Sequence, residues 1–353
     1  MKKLIVIFSA LMATAMQSHA IDNNTVEIVY NGSTATVAVA NNISSYVTVS
    51  SGTSSNVVIV QNSSFAGIDA TDTNTSGEIT YILSGSSSAG SFQLTGSYKC
   101  TISLAGLTLT NGSGPALNIQ DGKRIKLSAK KETTNTIAGA GSTTYNGAIF
   151  CKGHLEIQGN GTLNVSSTGN HAIKAKEYVQ IKNLTLNITS AAKDGINCQE
   201  YFWMKSGTVT ISGVASDGID VTKDASSTAT GEIAATSTVE AHEDENSGNF
   251  YLDDGTLTIS LASGNTSGSL IAAEGAKQFN GGTYNGTSYG TGIEEIENGE
   301  TKFGAHGESQ LRIEKQGSAP TGKANYDYYN LQGQRVDSDY RGVVVIKGKK
   351  VKK

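Results

Sequence analysis

The feature that most constrains this chain is a short segment that recurs four times at nearly constant spacing. Each copy has a small residue before an isoleucine, then one variable residue and another small apolar residue; the copies are Gly147–Cys151, His171–Ala175, Asp194–Cys198 and Asp217–Val221. The shared isoleucines lie 24, 23 and 23 residues apart. A unit of this length cannot bury its own apolar face, so the repeat predicts a solenoid of stacked coils.

A second motif lies between these copies and predicts further strands in each coil. It includes the segments 207–211, Gly-Thr-Val-Thr-Ile, and 255–259, Gly-Thr-Leu-Thr-Ile. The chain also has 41 glycines, only two prolines and no convincing amphipathic helix, a composition typical of a long β-protein with many turns. We therefore predict an all-β, right-handed parallel β-helix of about 11 coils, since parallel crossovers are right-handed.

The ends of the chain predict a domain plan. Lys2 and Lys3, an apolar run and the small-x-small sequence at 18–20 are typical of a secretory signal peptide in residues 1–20. The apolar run is shorter than the ~18 residues that a bilayer requires, and no later stretch predicts a membrane span. The expected domains are a β-helix over 21–292 with a loop insertion at about 222–248, a linker over 293–322 and a small β C-terminal module over 323–353.

Charge and cysteine content exclude two further interpretations. Without the signal peptide the chain has 25 basic and 31 acidic residues, and because residues 323–353 carry eight basic and three acidic ones, the net charge of 21–322 is near −11. From this balance we expect no basic patch for nucleic acid in the body. Cys151 and Cys198 are two coils apart, about 9.6 Å at the ~4.8 Å strand spacing, which is too far for a disulfide. We expect buried thiols.

The residues around the repeated isoleucines predict a metal site. Because side chains alternate along a strand, Asp194 and Asp217 stack in one outward column, and Asn197 and Asp220 in the next. Like charges stacked in a sheet repel, and a calcium ion, which takes six to eight oxygen ligands, would reverse that cost. The alternative is that each Asp-Gly pair makes only a turn. We favour calcium, bound by these four residues.

Glycan contacts and catalytic groups are harder to place. Trp203 and Tyr251 share an outward column and could offer aromatic faces to a sugar, although the insertion could equally cover Trp203. Lys174 and Lys193 lie near the aspartates, where they could contact an acidic glycan or act as the base of an elimination. We expect the metal site to end at His171 and Lys174. No nucleophilic triad, zinc spacing or phosphate loop is visible.

Together, the Asp-Gly-Ile repeats and the Gly-Thr-x-Thr-Ile motifs resemble a secreted carbohydrate-binding β-helix family that is similar in fold to polysaccharide lyases. The resemblance spans roughly residues 25–290. It implies calcium binding at Asp194, Asp217 and Asp220 and binding of acidic polysaccharides such as polygalacturonate without cleavage. The expected function is therefore a non-catalytic, calcium-dependent binder of acidic polysaccharide. A calcium-dependent polyuronate lyase and a surface adhesin or stalk are the alternatives.

The C-terminal segment carries a second resemblance. The block Tyr329-Asn330-Leu331-Gln332-Gly333-Gln334 and the late Gly-Lys-Lys at 348–350 are similar to the sorting tails of the type IX secretion system. We expect two strands in this module. The resemblance implies delivery to the outer surface of a Gram-negative bacterium and contact with its outer-membrane secretion machinery.

Overall fold

The fold was established from a computed structural model. It describes residues 21–51, 54–68, 77–224 and 246–289, together with six strand backbones between 293 and 352. The expected signal peptide and residues 225–245 of the expected insertion lie outside the described residues. In the described part, no helix is long and apolar enough to cross a membrane.

The described chain is all-β apart from one 3-10 turn at Asn41–Ile43. In chain order, the first thirteen strands are β1 Thr25–Asn31, β2 Thr34–Val39, β3 Val47–Ser51, β4 Asn56–Gln61, β5 Ile79–Ser87, β6 Ser91–Gly96, β7 Cys100–Asn111, β8 Leu117–Asp121, β9 Ile125–Ala129, β10 Thr134–Gly139, β11 Gly147–Cys151, β12 Leu155–Gly159 and β13 Thr162–Ser167. The next thirteen are β14 His171–Ala175, β15 Val179–Lys182, β16 Thr185–Ala191, β17 Ile196–Gln199, β18 Tyr201–Met204, β19 Thr208–Val214, β20 Ile219–Thr222, β21 Asn249–Leu252, β22 Thr256–Leu261, β23 Ile271–Ala273, β24 Lys277–Phe279, β25 Thr283–Tyr284 and β26 Thr287–Ser288.

Most of these strands form three faces, and on each face the strands of successive coils pair in parallel; the exceptions are β2, β3 and β26, which pair antiparallel. Face A contains β1, β5, the first half of β7, β9, β12, β15, β18, β21 and β24. Face B contains the second halves of β5 and β7, then β10, β13, β16, β19, β22 and β25. Face C contains β3, β4, β6, β8, β11, β14, β17, β20 and β23. This arrangement is consistent with a β-helical solenoid.

The repeated isoleucines set the register of face C. Ile149 pairs with Ile173, then Ile196 and Ile219 follow in the same column, and all four are fully buried. Their burial removes apolar surface from water at about 25 cal/mol per Å² and turns the neighbouring side chains outward. The prediction of buried thiols is also confirmed, because all three cysteines are free and buried.

Glycine explains the second motif at the corner between faces A and B. Gly207 and Gly255 have φ values of +102° and +92°. A Cβ at Gly207 would lie 2.6 Å from the Leu184 carbonyl oxygen of the preceding coil. Residues with a side chain rarely adopt this φ, so the corner selects glycine before Thr-x-Thr-Ile.

The ends of the stack carry antiparallel partners. β2 pairs antiparallel with β1 at the first coil, β3 with β4, and β26 with β25 at the last. These pairings cover strand edges that would otherwise be open to association. Face C has nine strands in the described residues. This is fewer than the expected 11 coils, because some successive strands of this face lie well over 23 residues apart: Val57 pairs with Phe92, and Leu117 with Ile149.

Beyond residue 292 the described strands are short and antiparallel. β27 Ile293–Glu297 pairs with β28 Glu300–Phe303, within the segment expected to be a linker. Four further strands form one sheet: β29 Tyr328–Asn330, β30 Arg335–Val336, β31 Val343–Ile346 and β32 Lys349–Lys352. The expected C-terminal module is therefore β-structured, with four strands rather than two.

Candidate functional site

The predicted metal residues meet on the outer surface of face C. Asp194 and Asp217 lie two residues before the first isoleucines of β17 and β20, and Asn197 and Asp220 are the second residues of those strands. The Gly195 amide donates to the Asp217 carbonyl oxygen at 2.9 Å, which fixes the one-coil offset. Carboxylate oxygens of Asp194, Asp217 and Asp220, one from each residue, all lie within 4.8 Å of one another. We call these three residues the carboxylate cluster.

Asn197 bridges the cluster. Its Nδ2 donates to Asp194 Oδ2 at 2.8 Å and to Asp220 Oδ2 at 2.7 Å, while its Oδ1 accepts a hydrogen bond from Lys174 Nζ. In this arrangement the Asn197 amide nitrogen lies between two carboxylates and reduces their repulsion, while its oxygen accepts from Lys174. A role for Asn197 as a cation ligand stays a prediction.

Asp194 is the most deeply held member of the cluster, with 4% of its surface exposed. His171 Nδ1 lies 3.0 Å from its Oδ2 and 3.3 Å from its backbone N, and we assign the Nδ1 proton to the shorter contact with the carboxylate. The Asp217 amide donates to Asp194 Oδ1 at 3.1 Å. Burial alone would raise the pKa of Asp194, but the hydrogen bonds from His171 and Asn197 outweigh it and lower the pKa to about 2.

Asp220 has the opposite electrostatic environment. Burial raises the pKa of its carboxyl group, and the charges of Asp194 and Asp217 raise it further, although Lys174 and His171 act against this. Asp217 is half-buried, and its Oδ1 accepts the Ser269 amide at 2.6 Å. The cluster thus holds three carboxylates that neighbouring cations only partly compensate.

The site extends one coil further than the sequence predicted. His171 and Lys174, expected to end it, both belong to its hydrogen-bond network. Lys174 is only 7% exposed and burial lowers its pKa, so its predicted role as a solvent-facing glycan contact is wrong. Lys193 is exposed beside Asp194, and its predicted glycan contact stays a prediction.

The predicted aromatic platform is also wrong. Trp203 and Tyr251 share an outward column, as expected, but they are only 6% and 1% exposed. They pack with Tyr178 and Tyr201 in one apolar cluster on the outside of face A. Trp203 Nε1 donates to Asp253 Oδ2 at 2.6 Å, and Lys205 Nζ lies 4.1 Å above the indole ring. These rings stabilise the stack and offer no open face to a sugar.

The fold and the acidic cluster place this chain among stacked, parallel all-β proteins that carry a polar site on an outer face. The family model of carbohydrate-binding domain-containing proteins matches its residues 69–325. The match covers well over half of the chain, so this protein belongs to that family.

Two further comparisons were informative to different degrees: one found a related structure and the other found no match. The chain is similar to the solved structure of the polysaccharide lyase-like protein from C. thermocellum, a gadolinium derivative, with a TM-score of 0.50 and 16% sequence identity. The match covers 72% of this chain and 96% of the other one, and it supports a shared fold. A comparison with curated proteins gives no match.

Proposed function

We propose that this protein is a non-catalytic, calcium-dependent binder of acidic polysaccharide, built as a right-handed parallel β-helix. Membership of a carbohydrate-binding family supports a glycan ligand. The observation that carries the calcium proposal is the carboxylate cluster, whose three oxygens lie within 4.8 Å of one another. Ca²⁺ prefers several carboxylate oxygens at 2.3–2.6 Å, so a small adjustment of these side chains would let all three reach one ion.

Calcium also accounts for how an acidic protein could hold an acidic polymer. Residues 21–322 have a net charge near −11, which repels a polyuronate. An ion bound by Asp194, Asp217 and Asp220 inverts the local charge and leaves coordination positions for carboxylates of the polymer. In this proposal Lys193, exposed beside the cluster, adds a further attraction.

The chain contains a matched control for the alternative that these Asp-Gly pairs only make turns. Asp217 precedes Gly218 inside the cluster, whereas Asp254 precedes Gly255 and is exposed, with its Oδ1 accepting the Gly255 amide at 2.7 Å. Calorimetric titration of the purified protein with CaCl₂ should show that Asp217→Asn weakens calcium binding by at least about tenfold, because one charged ligand is lost. Asp254→Asn should bind like the wild type. Equal calcium binding by all three proteins, or none by the wild type, would contradict the proposal.

One observation favours the lyase alternative. Burial lowers the pKa of Lys174, which is the direction that a general base requires. The same amine is buried and donates to Asn197, so no substrate proton reaches it in this arrangement. We expect no absorbance from unsaturated uronide when polygalacturonate and calcium are incubated with the protein. Its appearance, with loss in Lys174→Gln or Lys193→Gln, would favour the lyase.

We further propose that the protein acts outside the cell. The signal-peptide pattern in residues 1–20 and the resemblance of the C-terminal segment to secretion sorting tails support export to the cell surface. The mass of the protein recovered from the surface of a producing bacterium tests this. A mature N-terminus at Ile21 is expected, and an intact Met1 in the cell interior would contradict it.

A further inference from the structure

A groove of about 210 Å³ crosses the outer surface of face A, on a different face from the carboxylate cluster. Its walls come from β9, β12 and β15 and from the residue that follows β18. At ~4.8 Å per strand, the groove extends about 14 Å along the stack. It is partly open to solvent rather than an enclosed cavity, so it can receive a segment of a polymer.

The groove concentrates positive charge on a negatively charged body. Its lining contains four basic side chains, Arg124, Lys126, Lys182 and Lys205, and one acidic side chain, Glu156. Residues 21–322 have a net charge near −11, so this patch departs from the average of the domain. A polyanion approaching this protein meets a local attraction here.

Two of these cations are held in place by buried acids. Glu78 is only 2% exposed, and its Oε1 lies 3.1 Å from Arg124 Nη2 and 3.7 Å from Lys126 Nζ. Arg124 Nε lies 3.7 Å from Glu156 Oε1. Both basic side chains remain more than a quarter exposed, so their donors still reach the groove. Such preorganisation reduces the entropy that a ligand would have to overcome.

Gln180 gives an independent indication that something binds here. It lines the groove, is only 7% exposed and stands between Glu156 and Trp203 in the outward column of face A. Among the residues that the structure describes, none hydrogen-bonds to its side-chain amide, and the amide atoms are not sealed from solvent, so they open into the groove. A sugar hydroxyl there can both donate to the amide oxygen and accept from its nitrogen.

We propose that this groove is a second, calcium-independent subsite for a carboxylate-bearing polysaccharide. Arg124, Lys126 and Lys182 contact the carboxylates, and Gln158 and Gln180 hydrogen-bond to the hydroxyl groups. The inference rests on the proposed function in taking an acidic polysaccharide as the ligand, but it requires no metal. Lys182, exposed at the end of β15, is its most accessible cation.

The test is binding of polygalacturonate in excess chelator, which removes calcium from any metal site. The double variant Lys126→Gln/Lys182→Gln should bind about tenfold more weakly than the wild type, from the loss of two partly exposed ion pairs. Lys130→Gln/Lys131→Gln removes the same charge from exposed lysines outside the groove lining and should bind like the wild type. Lys182→Gln alone changes an exposed side chain that forms no ion pair among the described residues, and it should weaken binding about threefold without affecting folding.

The ligand supplies a second control. Fully methyl-esterified polygalacturonate keeps the backbone and hydroxyl groups but has no charge, and we expect at least about tenfold weaker binding, with no difference between the groove variant and the wild type. Equal weakening by the groove variant and the Lys130/Lys131 control, or no effect of the groove variant, would overturn the inference. If chelator abolishes wild-type binding, the groove proposal is contradicted and the calcium proposal is retained. If Asp217→Asn has no effect in calcium but the groove variant still weakens binding, the calcium proposal is contradicted and the groove proposal is retained.

Discussion

Replacing Asp220 with asparagine separates the electrostatic repulsion within the carboxylate cluster from its proposed role in binding calcium. In the folded protein, burial and the charges of Asp194 and Asp217 raise the pKa of Asp220, so its ionised form is disfavoured. Asparagine keeps an oxygen that can accept the Asn197 Nδ2 hydrogen bond, now 2.7 Å long. The variant therefore removes repulsion with little change in shape, and without calcium it should be more stable than the wild type.

The magnitude follows from the geometry. Two unit charges at the 4.8 Å limit of the cluster repel by about 3.5 kcal/mol at an effective dielectric constant of ~20. Asp220 is only half-buried and lies near the Lys174 ammonium, so solvent and this cation reduce the net term to about 1 kcal/mol. For a domain of this size, that corresponds to a rise in Tm of about 2 °C.

Calcium should reverse the stability advantage of Asp220→Asn over the wild type. An ion at 100 times its Kd stabilises the wild type by about 2.7 kcal/mol, whereas a tenfold weaker site gains only about 1.4 kcal/mol at the same concentration. Thermal unfolding followed by circular dichroism, in chelator and in calcium, gives both quantities, with Asp254→Asn as the matched control. A lower Tm for Asp220→Asn in chelator, or a calcium-induced rise equal to that of the wild type, would refute the reasoning.

Three further predictions concern stability. Burial lowers the pKa of His154, but the Glu177 and Glu200 carboxylates, whose oxygens lie 2.8 and 3.5 Å from its Nε2, outweigh this effect and raise the pKa to about 9. This stabilisation is complete below the unfolded-state pKa of ~6.5 and is lost as pH rises through about 9; urea unfolding should show the wild type losing about 2 kcal/mol over that range and His154→Gln losing much less. Trp203→Phe should reduce the free energy of unfolding by about 1–2 kcal/mol through loss of the indole hydrogen bond, yet leave polygalacturonate affinity within about twofold; a large loss of affinity without loss of stability would restore the aromatic platform. Gly207→Ala should destabilise by about 1–3 kcal/mol because of its positive φ and the close carbonyl oxygen, and unchanged urea unfolding would contradict that reading of the corner.

The sequence was sufficient to predict the register of face C. Side chains alternate strictly along a strand, so the repeated isoleucines predicted that Asp194 would stack near Asp217 and Lys174 near Asn197. The structure has both relationships. The parallel all-β architecture could also be predicted, because short apolar strands that recur every 23 or 24 residues, with no amphipathic helix between them, bury their apolar faces by stacking coil on coil.

Side-chain contacts between coils could not be predicted from columns. A column treats each side chain as isolated, but the Lys174 amine reaches across to Asn197 and the His171 ring reaches Asp194. Similarly, the column correctly turned Trp203 outward but did not show that it packs into an outer aromatic cluster. Exposure depends on what covers a residue, which periodicity does not encode.

The cationic groove was missed because irregular spacing hides it. Lys126 pairs with Glu156, 30 residues later, whereas Glu156 pairs with Gln180 after 24, so the basic tripeptide at 124–126 does not align with the regular repeats. The signal that could have found it is the apolar pair that flanks Lys126, Ile125 and Leu127, which matches Leu155 and Ile157. The hairpin of β27 and β28 had a signal too, the Asn298-Gly299 pair between the two strands.

The central claim, that calcium at the carboxylate cluster allows this protein to hold an acidic polysaccharide, is tested most directly on a glycan array probed with the wild-type protein in calcium and in chelator. We predict that polyuronates give signals at least about tenfold stronger in calcium, and that neutral glycans of similar length respond little to the metal. Equal signals for polyuronates in calcium and in chelator, or a calcium response confined to neutral glycans, would contradict the claim.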